Sequence, residues 1–152
     1  MSKGSPVERY HAISPSVSGA KVTPVHSWKH SSRPPLLASE QEGVYVEKWV
    51  VYGNDYVGAK ELTVLPGQTV TIKDSGAYGC ILTQGFGTLG GYRCETAGML
   101  RFGQLSADEF FVGQEAAEKG VTITNNSVCE PLVMLKHFGP NHPEMPMPSF
   151  DD

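Results

Sequence analysis

The sequence predicts an all-β domain, an antiparallel sandwich or barrel, from two observations. Between residues 44 and 140 the chain is made of short runs of β-branched and aromatic residues separated by Gly, Asn and Asp. A chain of 152 residues with 39% hydrophobic residues is also long enough to bury an ordinary core. We therefore expect one small globular domain.

Eight or nine strands are expected, at the spacing of roughly 8–12 residues that is typical of such folds. The candidate runs are Val44–Tyr52, Ala59–Leu65, Thr69–Lys73, Tyr78–Thr83, Gly91–Glu95, Met99–Leu105, Glu109–Val112, Val121–Asn125 and Leu132–Phe138. Turns are expected at residues 53–55, 66–67 and 85–87. A short helix is expected over Glu115–Lys119, where good helix formers are followed by Gly120.

The two ends of the chain are expected to be irregular. Residues 1–43 are rich in Ser, Pro and Gly and show no sustained hydrophobic period, which predicts an arm. Ordering such a segment costs about 1–2 kcal/mol per residue, so it needs the barrel or a neighbouring subunit to pack against. Residues 141–152 are rich in proline and predict a tail without regular structure. The barrel itself is expected over residues 44–140.

Charge and hydropathy exclude several classes of partner. The net charge is -4 and no long run of Lys or Arg occurs, so a nucleic acid or an anionic membrane is not an expected partner. No stretch approaches the roughly 18 consecutive apolar residues of a membrane span, and no apolar signal-peptide core follows Met1. The expected location is cytoplasmic.

The cysteines predict neither a disulfide framework nor a thiolate zinc site. Their number is three, and Cys80, Cys94 and Cys129 have no CxxC spacing. Cys80 and Cys129 lie in or beside apolar runs, so we expect them to be reduced, buried and structural.

The order of turns and strands over residues 44–140 resembles the cupin superfamily. Leu65–Gln68 is similar to the proline-glycine turn before the first cupin motif, and Ile81–Thr88 to the strand and glycine turn that close it. Ser106–Val112 is similar to the strand entering the second motif, and Asn126–Val133 to its asparagine turn. The resemblance implies an antiparallel double-stranded β-helix, or jelly-roll barrel, of the RmlC type. It is greatest to the cupin domains of mannose-6-phosphate-isomerase-like proteins.

The resemblance also implies a divalent metal, held by two histidines and a glutamate of the first motif and a third histidine of the second. In this chain those positions fall at Lys73, Ser75, Tyr78 and Thr122. An ammonium has no lone pair and neutral hydroxyls are poor ligands, so this set does not hold a transition metal. No cofactor is therefore expected.

These four residues are instead the expected ligand-binding site. If strand alternation points them into the barrel mouth, one cation and three hydroxyls suit a sugar, a sugar phosphate or a small carboxylate. In the alternative interpretation Lys73 extends to the rim, Tyr78 is core and the barrel is filled. A register slip of one residue would place Asp74 inward in place of Lys73.

Metal binding remains an alternative through residues outside the motifs. His26 and His30 lie in the arm, His137 ends the last predicted strand, and His142 lies in the tail. If the arm folds over the barrel mouth, these four side chains could form a non-standard metal site. The remaining histidine, His11, also lies in the arm.

Three functional hypotheses follow. The first is a cupin-like domain that binds a small polar ligand, or supports assembly as a homodimer or as part of a longer polypeptide, without the usual metal. The second is an enzyme, a sugar-phosphate isomerase or metal-dependent oxygenase, with ligands from the arm and tail. The third is a purely structural oligomerisation module.

Overall fold

The computed structural model describes residues 34–98, 103 and 105–147. The described strands are β1 Leu36–Gln41, β2 Tyr45–Val51, β3 Gly58–Val64, β4 Thr69–Ile72, β5 Tyr78–Gln84, β6 Phe86–Leu89, β7 Tyr92–Glu95, β8 Glu109–Val112, β9 Val121–Asn125 and β10 Leu132–Phe138. One helix, α1, spans Gln114–Lys119. No described helix is long and apolar enough to cross a membrane.

The strands form two antiparallel sheets. One has the order β1-β2-β3-β10-β5-β8 and the other the order β4-β9-β6-β7. From β3 onward the chain crosses repeatedly between the sheets, so that β3, β5, β8 and β10 lie in one and β4, β6, β7 and β9 in the other. This alternation is the topology of a jelly roll. The all-β jelly-roll prediction is confirmed.

Strand alternation determines which side chains enter the core. In β3 and β9 every second residue is buried, as expected for strands with one face toward the interior. The largest fully buried apolar side chains come from both sheets: Leu62, Val64, Tyr78, Ile123, Leu132 and Met134. The two sheets therefore share one core.

The predicted strands match the structure closely, with a few differences. The segment expected to be an arm contains β1, which pairs antiparallel with β2 and forms an edge of the larger sheet. The turn expected at residues 85–87 is confined to Gly85, with φ +83°, because Phe86 already starts β6. The strand expected over Met99–Leu105 falls largely outside the described residues.

The C-terminal segment also differs from expectation, because part of it packs on the barrel. We call residues 139–147 the strap. His142 and Met145 of the strap are buried, and Met145 donates its backbone N–H to the carbonyl of His142. A segment without regular structure can still bury side chains when a neighbouring sheet offers an apolar surface.

The cysteines are free thiols, as expected, but differ in burial. Cys80 and Cys94 are buried, whereas Cys129 is exposed. Cys129 follows β9 in a connection where its neighbours Val128 and Glu130 are also exposed, and apolar neighbours in sequence do not bury a loop residue. The expectation of a buried Cys129 is therefore wrong.

Candidate ligand site under the strap

Four charged side chains lie in the interior of the barrel and form what we call the charge cluster: Glu47, Lys60, Asp74 and Lys136. All four are buried, with Lys60 3% and Lys136 0% exposed. Glu47, Lys60 and Lys136 come from the inner face of the larger sheet, on β2, β3 and β10. Asp74 follows β4 of the smaller sheet. The charge cluster therefore joins the two sheets at one end of the core.

The lysines lie directly opposite each other. Lys60 of β3 is the register partner of Lys136 of β10. Like charges in this arrangement destabilise a sheet, and burial removes the water that would screen them. Asp74 offsets the repulsion, because its Oδ1 lies 2.8 Å from the Lys60 Nζ and its Oδ2 lies 2.6 Å from the Lys136 Nζ.

Glu47 completes the charge balance. Its Oε1 forms an ion pair with Lys136, and its Oε2 lies 3.6 Å from the Lys60 Nζ. Ser39 of β1 donates a hydrogen bond of 3.3 Å to the same Oε2. Two ammonium groups and two carboxylates thus neutralise each other, which is what a buried ionic group requires.

The pKa shifts of Asp74 and Lys60 favour their charged forms. Burial alone would raise the pKa of Asp74, but the charge and hydrogen bond of Lys136, followed by those of Lys60, outweigh burial and lower that pKa. Burial alone would lower the pKa of Lys60, but the carboxylates of Glu47, Asp74 and Glu144 outweigh it and raise that pKa. Lys60 is therefore a fixed ammonium and not an amine nucleophile.

Aromatic rings surround the two ammonium groups. The Lys60 Nζ lies 4.9 Å from the ring centroid of Trp49 and 5.3 Å from that of Phe138. The Lys136 Nζ lies 5.1 Å from the ring of Tyr78. These cation–π contacts partly replace the hydration that the lysines lose on burial.

The strap brings a third carboxylate to this site. The Glu144 Oε2 lies 3.2 Å from the Lys60 Nζ, and Ser75 donates a hydrogen bond to the Glu144 Oε1. The Glu144 side chain is 44% exposed, so this ion pair faces solvent. Burial acts to raise the pKa of Glu144, but the hydrogen bonds from Ser75 and Lys60 outweigh it, and the pKa is lowered.

Beside this ion pair, the His142 ring packs on aromatic side chains. Its centroid lies 4.3 Å from that of Phe138 and 5.6 Å from that of Trp49. Burial, followed by the charge of Lys60, lowers the pKa of His142, so the neutral imidazole is favoured. The site under the strap thus combines an ammonium, a hydroxyl and an aromatic surface.

Of the four residues predicted to bind ligand, the structure brings two to this site. Ser75 contacts Glu144, and the Tyr78 ring lies beneath Lys136. Lys73 is exposed on the outer face, and Thr122 is exposed and hydrogen-bonded to Thr71 across β4 and β9. The reason is parity: Val70 and Ile72 point inward, so Asp74 follows them inward and Lys73 does not. This is the slip of one residue considered above.

The four histidines of the alternative metal site are not brought together in the part of the chain that the structure describes. His137 is exposed on the outer face of β10, whereas His142 belongs to the strap and is buried against the barrel. His26 and His30 lie outside the described residues. Within the described ranges, no group of three or more His, Cys, Asp or Glu side chains could hold a metal ion.

Sequence reasoning missed Glu47, Lys60 and Lys136, although a signal for the two lysines was present. Lys60 shares strand parity with Leu62 and Val64, and Lys136 shares it with Leu132 and Met134. Residues two apart in a strand point to the same face, so both lysines had to accompany apolar side chains inward. No such pattern indicated that Glu144 of the strap would reach Lys60.

Comparison with known proteins gives structural similarity at low sequence identity. Neither protein-family models nor curated proteins gave a match. Among solved structures, a cupin-2 domain from Rhodospirillum rubrum is 16% identical, with a TM-score of 0.48 over 78% of this chain and 77% of that chain. An RmlC-like cupin protein from Ralstonia eutropha is 7% identical, with a TM-score of 0.48 over 76% and 71%.

A third similar structure is the complex of SigE with the anti-sigma ChrR from Rhodobacter sphaeroides. There the identity is 16% and the TM-score 0.47, over 66% of this chain and 46% of that chain. At identities and TM-scores this low, the matches carry no information about the function of this chain.

Proposed function

We propose that the chain is a cupin-type barrel domain that binds a small anionic molecule, a sugar phosphate or small carboxylate, without a transition metal. The site is the surface that the strap covers, with Lys60 and Ser75 as anion ligands and Tyr78 beside Lys136. The observation that carries the proposal is Glu144, a solvent-facing carboxylate held between Lys60 and Ser75. A site that accepts this carboxylate has the donors that a ligand anion needs.

The charges already present in the barrel interior disfavour a bound metal ion. Lys60 and Lys136 already supply two positive charges, and the carboxylates of Asp74 and Glu47 are paired with them. A divalent cation entering this interior would meet two ammonium groups and no uncommitted carboxylate in the charge cluster. The resemblance to the cupin domains of mannose-6-phosphate-isomerase-like proteins makes hexose 6-phosphates the first ligands to test.

The test is a thermal melt and calorimetric titration of the full chain with mannose 6-phosphate, inorganic phosphate, citrate, mannose and divalent metals. A ligand at about 100 times its Kd adds roughly 2.7 kcal/mol of stability. We expect a shift with at least one of the anions and none with mannose. Glu144→Gln should tighten anion binding about tenfold, because it removes the carboxylate that competes with the ligand anion for Lys60 and Ser75.

Two further variants make the test specific. Ser75→Ala should weaken anion binding, and it leaves the charge cluster intact. Glu61→Gln, an exposed carboxylate on the outer face of β3, is the matched control and should bind as the wild type does. If neither the wild type nor Glu144→Gln responds to any anion, the proposal is wrong, and a shift with metals alone would support the metalloenzyme hypothesis.

A second candidate is an assembly module, favoured by β1. This strand is an edge of the larger sheet, and its Leu36 and Leu37 side chains are exposed. An edge strand offers unpaired backbone groups to another chain. Absence of any ligand shift in the melts above would favour this candidate, with a homodimer as the expected form.

A further inference from the structure

The strap presents a ring and a carboxylate to the barrel as one unit. His142 supplies the ring, and Glu144, two residues later, supplies the carboxylate. The Glu144 backbone N–H donates a hydrogen bond of 3.3 Å to the His142 Nδ1, which links the two residues. Because Nδ1 accepts this bond, the proton of the neutral imidazole resides on Nε2.

The surface beneath the strap likewise has two parts, an aromatic part and an ammonium group. Phe138 and Trp49 form its aromatic part, with ring centroids 5.8 Å apart. The Lys60 Nζ lies near both rings and 3.2 Å from the Glu144 carboxylate. The Lys60 ammonium group therefore lies next to both the Glu144 carboxylate and the aromatic surface of Phe138 and Trp49.

The strap fits this surface incompletely. The His142 Nε2 is buried and has no hydrogen-bond partner among the described residues, and the same holds for the Tyr78 hydroxyl. A buried polar atom without a hydrogen-bond partner costs free energy, and this cost weakens the packing of the strap on the barrel. A ligand that offers the same ring and carboxylate without the unpaired N–H would compete well.

We infer that the site takes an aromatic carboxylate, whose ring replaces His142 against Phe138 and Trp49 and whose carboxylate replaces Glu144 on Lys60 and Ser75. This inference rests on the proposed function and narrows its ligand class. A sugar phosphate offers the anion but no aromatic ring, so the two classes are separable. Binding displaces the strap from the barrel.

The test follows the fluorescence of Trp49 in the full chain carrying Trp28→Phe, which removes the other tryptophan. The probes are phenylacetate, cyclohexylacetate of matched size, acetate and inorganic phosphate. We expect phenylacetate to bind about three- to tenfold more tightly than cyclohexylacetate, the range that an aromatic contact contributes. The Trp49 emission should change as the His142 ring leaves its edge.

Three variants separate displacement of the strap from binding elsewhere on the protein. His142→Ala removes the competing ring and should tighten phenylacetate binding, while His137→Ala, an exposed histidine on β10, should leave it unchanged. Phe138→Leu should abolish the preference for phenylacetate over cyclohexylacetate and retain phosphate binding.

The outcomes distinguish this inference from the proposed function. If phosphate or mannose 6-phosphate binds and phenylacetate binds no better than cyclohexylacetate, the inference is overturned and the proposed function stands. If phenylacetate binds without any change at Trp49, displacement of the strap is overturned. If no anion binds to the wild type or to Glu144→Gln, both are overturned.

Discussion

Asp74 has the central role among the single residues of the interior. Each of its carboxylate oxygens pairs with a different buried lysine, Lys60 or Lys136. Two cations that face each other in a sheet are tolerated only if their charge is compensated within hydrogen-bond distance. A buried ion pair contributes little net stability compared with apolar residues, but removal of one partner is costly.

We predict that Asp74→Asn lowers the free energy of unfolding by about 3–5 kcal/mol, because it leaves two buried ammonium groups with Glu47 as their one buried carboxylate. Urea denaturation followed by circular dichroism measures the loss. Asp55→Asn, an exposed aspartate in the β2–β3 connection, is the control and should change stability by less than about 0.5 kcal/mol. Equal midpoints for the two variants would show that Asp74 does not hold the lysines together.

At the scale of the elements, close packing of β6 on β9 depends on Gly87. A Cβ added at this position would overlap the carbonyl oxygen of Thr124. Gly87 pairs in register with Asn125 of β9 and with Cys94 of β7. A glycine in a strand interior is expected where another backbone approaches closely.

We therefore predict that Gly87→Ala destabilises the protein by about 1–3 kcal/mol, since the overlapping atom belongs to the backbone and cannot rotate away. The melting temperature and the hydrogen exchange of β9 amides measure the effect. Gly98→Ala is the matched control, because an added Cβ there meets no atom within 4 Å. Unchanged protection of β9 in the Gly87 variant would contradict the prediction.

At the scale of the whole molecule, the buried charges limit the pH range of stability. The pKa of Asp74 is lowered. Its contribution to folding stability is therefore complete above its ordinary pKa of 3.8 and is lost as the pH falls through the lowered pKa. The pKa of Lys60 is raised, so its contribution is complete below 10.5 and is lost as the pH rises through the raised value. The fold is thus stabilised between these limits.

The strap should respond to acid first. Burial and Lys60 lower the pKa of His142, as does Lys136, whereas Glu144 and Asp74 oppose them. Neutral His142 stabilises the fold fully above its ordinary pKa of 6.5, and this stabilisation is lost as the pH falls through the lowered pKa. We predict that the melting temperature declines below pH 6.5, and declines less in His142→Gln.

Melts across this pH range provide the measurement. His137→Gln, on the exposed face of β10, should follow the wild-type curve. If His142→Gln and the wild type lose stability in parallel, then protonation of His142 does not loosen the strap.

Local patterns were sufficient to predict most of the strands and the class of fold. Alternation in β3, β9 and β10 is encoded by neighbours two residues apart, so it can be read without knowing the partner strands. The same parity also indicates an inward position for Lys60 and Lys136, although the sequence-based prediction did not include them. The helix over Gln114–Lys119 was predicted within one residue, because its propensities and closing glycine are local as well.

Only the tertiary structure decided what the inward charges meet. Asp74 reaches the lysines from the opposite sheet, and Glu144 lies 84 residues from Lys60 along the chain. Such contacts depend on how sheets and connections pack, and no period in the sequence records them. By itself, therefore, the sequence determined the strands and their inner faces, whereas folding decided which residues form the charge cluster and what covers it.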